Sequence, residues 1–373
     1  MSRENFIVVD IGSSRVVGAL IEKEADKPKI VYASYKEIPF KETVEPARYQ
    51  SLVVSVLRDC LNDLTHHLNG VKPRRALCTL SSIMCDVSLA TRMEKYQSET
   101  LITKKIIESN DNEQTSIDKT KKILDHALIQ IKLNGYPTTN PVGKTAHSLE
   151  MTIYTSTVDT ELIKQLTDEI GKGFHGIDIL SHSTSFVIFT VLRNMIHDDN
   201  FVCVDFGGEI TDIIISKRGV LEKTISIPFG KNMILREIIK TMNVSLEIAE
   251  SSLHLYHTNK LSSEFIDPLK QVLDACNQRW NTLFLGALEH VTLDSLLPQD
   301  VYLLAHPSVA PIISNYLESG KYDRYVFVGQ KFRVHEIADK TLRSFCDSKD
   351  QSAFIDPTVV ISALFSDTLH KEQ

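Results

Sequence analysis

Two short stretches of this 373-residue chain carry residue types suited to holding phosphate: Val9-Asp10-Ile11-Gly12-Ser13-Ser14 and Val204-Asp205-Phe206-Gly207-Gly208-Glu209-Ile210-Thr211-Asp212. In each, an aspartate lies in an apolar run and a glycine turn follows at once. Glycine and serine in a tight turn let backbone N–H groups come close to phosphate oxygens. A carboxylate at the strand end can hold Mg²⁺ through its water shell while the metal bridges the phosphates. One such turn alone reads as an ordinary hairpin whose aspartate bonds locally. Two in matching surroundings predict hairpins that face each other across a cleft and clamp a nucleotide.

The elements needed to position these turns occur twice. Residues 6–11, 16–21 and 29–38 read as strands. Val53, Val56, Leu57, Cys60, Leu61 and Leu64 then recur at helical spacing, and residues 76–80 make a further strand. The order returns with strands at 201–206, 211–216 and 222–227 and a helix at 231–241, which predicts an internal duplication. Between the copies, residues 86–157 change texture. They hold a polar run at 108–114, a helix with Ile123, Leu124, Ala127, Leu128 and Ile131 on one side, a turn-rich stretch at 134–143 and a strand at 149–155. That pattern suggests an inserted subdomain. A helix at 161–170, a strand at 177–180 and a helix at 185–195 lead into the second copy. Further on, Asp267 reads as an N-cap and Pro268 as the first position of a helix whose apolar stripe runs from Leu269 to Val291. Strands at 301–305 and 325–328 and helices at 246–256, 309–317 and 334–346 complete the expectation.

Composition narrows the function. Lys and Arg number 41 against 48 Asp and Glu, a net charge of -7, which argues against a basic surface for nucleic acid or anionic membrane. The six cysteines include no C-x-x-C pair and read as small buried hydrophobes. The opening MSRENFIVVD has no secretory pattern, and no apolar run approaches the roughly 20 residues that span a bilayer. The expected location is the cytoplasm, with the inner face of the membrane reached only through partners. His66-His67 reads as a solvated helix end, and His182 and His306 have no neighbours at metal-ligand spacing. Lys119 to Lys122 read as the solvated face of a helix, and Arg74-Arg75 as a surface pair.

The paired turns resemble the phosphate loops of the actin and sugar-kinase superfamily, which implies an α/β, actin-like (ribonuclease H-like) duplicated fold of two lobes with an ATP cleft between them. Asn134-Gly135-Tyr136-Pro137-Thr138-Thr139-Asn140-Pro141-Val142-Gly143-Lys144, followed by Leu149-Glu150-Met151-Thr152, resembles the inserted α+β subdomain of FtsA, the bacterial cell-division actin homologue. Ile227-Pro228-Phe229-Gly230, Ala249-Glu250, Asp356-Pro357-Thr358 and Ala363-Leu364 match further positions of that family. The resemblance implies residues 1–84 as the first part of lobe I, 85–160 as the insertion, 161–198 as the return helices and 199–373 as lobe II, its small subdomain reduced around 244–298.

It also implies that Asp10 and Asp205 hold the water shell of Mg, and that Gly12, Ser13, Ser14, Gly207, Gly208 and Thr211 donate to ATP phosphates, with Asp212 supporting the hairpin. The implied role is a cytoplasmic adaptor at the division septum, at most a weak ATPase. Its implied partners are FtsZ or other divisome proteins, with self-association into actin-like filaments and no nucleic acid. The pattern departs from the family at Glu209 and Ile210, at Lys231, at Leu253 where a lysine is usual, and at His306-Pro307 where the adenosine turn is glycine-rich. A carboxylate at Glu209 is expected to repel phosphate oxygens. The nine residues after Leu364 are polar and too short for an interfacial helix. A PilM-like adaptor of type IV pilus assembly and a nucleotide-free relic of the fold are the alternatives. A sugar kinase or polyphosphate phosphatase needs an acid or base that no residue supplies.

Overall fold

The structure, a computed structural model, describes residues 4–23, 27–41, 46–112, 118–196, 198–289, 296–327, 330–350 and 355–369. Lobe I opens with β1 (Glu4–Ile11), β2 (Arg15–Lys23), β3 (Pro28–Glu37), α1 (Pro46–His66) and β4 (Arg75–Leu80), the order read from the sequence. The apolar stripe of α1 is buried against Ile7, Val9, Ile11, Val16 and Leu20 of β1 and β2. His66 and His67 end α1 in the exposed position expected of them.

The insertion comprises β5 (Cys85–Leu101), α2 (Lys104–Asn112), β6 (Lys121–Leu133), β7 (Tyr136–Pro137) and β8 (Thr145–Asp159), with sheet order β5-β8-β6-β7. Here the expected helix through Ile123 and Ile131 is instead strand β6. Two register shifts against β8, at Ile123/Asp125 and Leu128/Gln130, explain the misreading. Each bulge adds a residue and resets the alternation, so apolar side chains recur at a spacing that imitates a helix. Lys121 and Lys122 accordingly begin a strand, preceded by a turn. The polar run at 108–114 is helical as far as Asn112, and its last residues lie outside the described residues.

Next come α3 (Thr160–Gly173), β9 (Asp178–Ser183) and α4 (Thr184–Met195), then lobe II with β10 (Phe201–Phe206), β11 (Thr211–Lys217), β12 (Val220–Ile227), α5 (Lys231–Met242), α6 (Leu246–His257) and α7 (Ser263–Glu289). The chain continues through β13 (Asp300–Ala305), α8 (Ala310–Ser319), β14 (Arg333–Glu336), α9 (Asp339–Leu342), β15 (Asp347–Ser348) and α10 (Pro357–Leu369). The large sheets run β15-β3-β2-β1-β4-β9 and β12-β11-β10-β13-β14. From β3 to β9 and from β12 to β14 the pairings follow one sequence: antiparallel, antiparallel, parallel, parallel. The duplication is therefore present in topology as well as in motif.

Three expectations in lobe II fail for physical reasons. Helix α7 begins at Ser263, so Asp267 is not its cap and Pro268 lies inside it. A proline this early removes only the bond to the Glu264 carbonyl, and the helix continues through it. The expected strand at 325–328 is a turn and bend, with Val328 outside the described residues. Tyr325 and Val326 are apolar because they plug the lobe II core. The expected helix at 334–346 is divided, because β14 completes the edge of β13 and only α9 is helical. Val291 also lies outside the described residues.

The carboxy-terminal segment is no solvated tail as far as it is described. Helix α10 buries Val359, Val360, Ile361, Ala363 and Phe365 in a core that also takes Val8 and Val17 from lobe I and Phe201, Ile214 and Leu304 from lobe II. Residues 370–373 lie outside the described residues. Among the described residues, no helix is long and apolar enough to cross a membrane.

Candidate functional site

The two glycine turns have the same local geometry. Gly12 N–H donates to the Arg15 carbonyl at 2.9 Å, and Gly207 N–H donates to the Ile210 carbonyl at 3.0 Å. Each closes a tight reversal between two strands of its lobe. The reversals meet: Ser13 Oγ accepts the N–H groups of Gly208 and Glu209, both at 3.0 Å. Gly208 lies so close to Ser14 that a Cβ there would stand 2.1 Å from the Ser14 Cβ. Tyr49 of α1 steadies the first turn by donating to the Ser13 carbonyl at 3.0 Å. Helix α5 steadies the second, its Lys231 and Asn232 N–H groups reaching the carbonyls of Gly207 and Gly208 at 3.0 and 2.8 Å.

Beside the turns is a cavity partly open to solvent, lined among others by Asp10, Arg15, Thr184, Asp205, Lys231 and His306. Asp10 is 3% exposed, and both its oxygens are engaged, one by the Thr79 hydroxyl at 2.7 Å and the other by the Thr358 hydroxyl at 2.8 Å. Burial, followed by the nearby Asp356, raises its carboxyl above the usual range, while the two threonine hydroxyls oppose the shift. Asp356 pairs with Arg15 at 2.5 Å and accepts the Thr358 N–H at 2.9 Å, so the start of α10 is held against the first turn.

Asp205 differs. Among the described residues its carboxylate has no hydrogen-bond partner, and it faces the cavity. Burial pushes its carboxyl well above the ordinary range, and Asp212 and Asp10 add repulsion. A carboxyl with a raised folded-state pKa holds its proton more tightly folded than unfolded. Its contribution to stability therefore falls as pH rises from the ordinary carboxylate range, about pH 4, through the raised value. Asp205→Asn is expected to unfold at a higher temperature than wild type near pH 7, with the gain shrinking toward about pH 4. Thermal melts across that range check it, and a variant less stable than wild type at neutral pH would contradict it.

The remaining expected residues divide by orientation. Thr211 donates its hydroxyl to the Phe229 carbonyl at 2.5 Å and does not line the cavity. Asp212 accepts Ser82 Oγ at 2.5 and 2.7 Å as well as the Ser226 hydroxyl, tying lobe I to lobe II. Glu209 does not point at the turns' N–H groups. Arg236 grips it with two bonds of 2.7 and 2.8 Å, and Asn232 adds a third at 2.7 Å. The expected repulsion is thus met by a cation one helical turn into α5. Arg236 also donates to the Lys41 carbonyl at 2.9 Å and lies over the Phe40 ring, a further tie between lobes. Leu253 is fully buried in the lobe II core and has no part in the cleft.

His306 lines the cavity and accepts the Ser308 N–H on Nδ1 at 3.2 Å. Loss of water around the ring, with Lys231 and Arg15 nearby, lowers it to about 4, so it is neutral at pH 7. Pro307 beside it has no N–H to offer.

Sequence reading missed Thr79, Thr358, Tyr49, Arg236 and Thr184. The last is informative: Thr184 Oγ1 is buried, has no partner among the described residues and belongs to a residue lining the cavity. An orphaned hydroxyl, an unpartnered carboxylate and two N–H groups converging on one oxygen position are what a hydrated metal–phosphate group would satisfy. The residues present fit that group. Among the described residues no three His, Cys, Asp or Glu side chains converge for direct metal coordination.

No protein-family model matches the chain. No curated protein matches it in sequence. Among solved structures it is similar to a chain of the PilM–PilN type IV pilus biogenesis complex, at 14% identity and a TM-score of 0.61, over 97% of this chain and 98% of that one. It also aligns with the ethanolamine utilization protein EutJ from Carboxydothermus hydrogenoformans, at 10% identity and a TM-score of 0.47, over 98% and 91% of the two chains. A Bacteroides thetaiotaomicron protein with an actin-like ATPase fold aligns at 8% identity and a TM-score of 0.43, over 97% and 96%. The fold is actin-like: two duplicated lobes with a subdomain inserted in the first.

Proposed function

We propose that this chain is an actin-fold adaptor occupying a PilM-type place in a pilus-like assembly, with Mg-ATP in its cleft setting the angle between the lobes. The observation that carries the reading is the span of the similarity to the PilM–PilN chain, 97% of one and 98% of the other, which includes both lobes and the insertion. A PilN-type protein is the corresponding partner, and the membrane is reached through it.

In this reading the backbone of Ser13, Ser14, Gly207 and Gly208 cradles the phosphates. Ser13 Oγ, which now accepts two N–H groups, turns to donate and leaves those groups to a phosphate oxygen. Asp205 and Thr184 hold the water shell of the metal, and Asp10, occupied by its two threonines, keeps the first turn in place. A divalent cation held there by Asp205 and Thr184 would supply charge neutralisation to the phosphates. Each Asp10 oxygen already accepts a threonine hydroxyl, and His306 is neutral with Nδ1 already accepting, so slow turnover or none is expected.

A second reading, an FtsA-like division adaptor with FtsZ as partner, is favoured by the Asn134–Gly143 segment. Its Asn134, Gly135 and Gly143 all take the left-handed backbone that such turns use.

Two measurements test the proposal. Calorimetry should detect Mg-ATP binding to wild type and a loss of at least about tenfold in Asp205→Ala. No heat in either protein would support the nucleotide-free relic. Co-purification with a PilN-type protein supports the pilus reading, and capture of FtsZ instead would replace it with the division reading.

A further inference from the structure

Among the described residues strand β5, Cys85–Leu101, is the longest, and it stands at the edge of its sheet. Among the described residues its inner side pairs with β8 and no strand pairs with its outer side. An open edge of this length is a template for another strand. The pairing with β8 is regular from Cys85 to Lys95 and breaks between Lys95 and Thr100. Met93 lies within this regular stretch, at the midpoint of the whole strand, and is 60% exposed.

The charges on either side of Met93 are of opposite sign and on one face. Arg92 donates to the Asn110 carbonyl of α2, and the Asn110 side-chain amide donates to Glu94 at 2.7 Å. Both side chains are thus held on the α2 side of the sheet, while Met93 points to the other. In an antiparallel pairing of two copies centred on Met93, Arg92 of each stands directly opposite Glu94 of the other. The two Met93 side chains then meet on the two-fold axis. Sliding the strands by two residues in either direction sets Arg92 against Arg92 or Glu94 against Glu94, which is unfavourable. Of these three registers, only the one centred on Met93 is self-complementary in charge. Such a reciprocal arrangement is what an isologous interface requires.

We propose that the outer edge of β5 pairs antiparallel with β5 of a second copy of this chain, in the register that places Met93 on the two-fold axis. The two inserted sheets then form one continuous sheet. The lobes lie at its opposite ends, so the paired insertions link the two bodies and leave both clefts open.

The test uses the full chain, with dimerisation followed by analytical ultracentrifugation over a range of concentrations. Arg92→Glu and Glu94→Arg each place two like pairs across the axis, and each alone is expected to weaken the dimer by about tenfold or more. An equimolar mixture of the two variants restores both opposite-charge pairs and is expected to recover the dimer. The chain's own cysteines are all buried, so an introduced thiol reports the contact without background. Met93→Cys should form a covalent dimer on mild oxidation, whereas Gln97→Cys, well off the axis, should not. A wild type that stays monomeric, a mixture that fails to recover the dimer, or equal crosslinking of the two cysteine variants would overturn the proposal.

Discussion

Asp125→Ala is expected to lower the unfolding free energy by about 3–5 kcal/mol, the summed cost of leaving several buried hydrogen-bonding groups without a partner. Asp125 is 4% exposed on β6, just past the first bulge. It accepts the Ser183 N–H at 2.8 Å, the Ser183 hydroxyl at 2.6 Å and the Ser156 hydroxyl, and it contacts His182 Nδ1 at 2.7 Å. Tyr154 closes the group with a hydroxyl 2.8 Å from Ser183 Oγ. The network joins the inserted sheet, through β6 and β8, to β9 of lobe I. Alanine leaves several buried polar groups without a partner, and each such orphan costs about 1–3 kcal/mol. Ser156→Ala removes one hydroxyl and should cost about 1 kcal/mol. Denaturant unfolding of the two variants gives the comparison. If Asp125→Ala lies within about 1 kcal/mol of wild type, the network is not what holds the insertion.

Gly230→Ala is expected to be nearly as damaging, for a purely steric reason. The backbone at Gly230 has φ -156°, an extended conformation open to any residue, so no strain arises from the dihedral. The added Cβ, however, would stand 2.4 Å from the Gly208 carbonyl oxygen and 2.7 Å from that of Gly207. Those atoms are backbone and are held by the first N–H groups of α5, so the methyl can be accommodated only by displacing the second turn. Overpacking of this kind costs about 1–3 kcal/mol. The displaced turn should also lose Mg-ATP affinity by more than about tenfold, since its N–H groups no longer converge. Gly286→Ala in α7 is the contrast, with nothing within 4 Å of the added methyl. There a stabilisation of up to about 1 kcal/mol is expected from helix propensity alone. Melting temperatures and titration calorimetry on the pair separate the steric effect from a general intolerance of substitution.

The two variants bear on parts of the molecule that were unequally legible. The turn that Gly230 supports was visible beforehand, because its signals are local: an apolar run, an aspartate, a glycine, and then the same order again. The network around Asp125 was not, because its strand carries two bulges and looked like a helix. A bulge is a property of the pairing and leaves no mark on a single strand's own pattern. The same holds for β14. Its residues pass for a helix until β13 offers a parallel edge.

Glu209 makes the point at the level of one side chain. Read by itself it is an acid where phosphate oxygens are expected. In the folded chain, Arg236 and Asn232 of α5 neutralise it and turn it toward the helix. Leu253, read as a missing cleft lysine, belongs to the core.

What the sequence by itself determined was the duplicated plan: two glycine turns on two copies of one strand order, with an insertion between. Periodicity and turn chemistry act between near neighbours, so they survive in a linear reading. Only the tertiary structure decided which polar groups remain free to bind a ligand. Asp10 is taken by Thr358, 348 positions away, and Ser13 by the turn 195 and 196 positions away, while among the described residues Asp205 and Thr184 are left without hydrogen-bond partners. Free and occupied carboxylates look alike in a sequence, because occupancy is set by groups that approach only when the lobes close on each other.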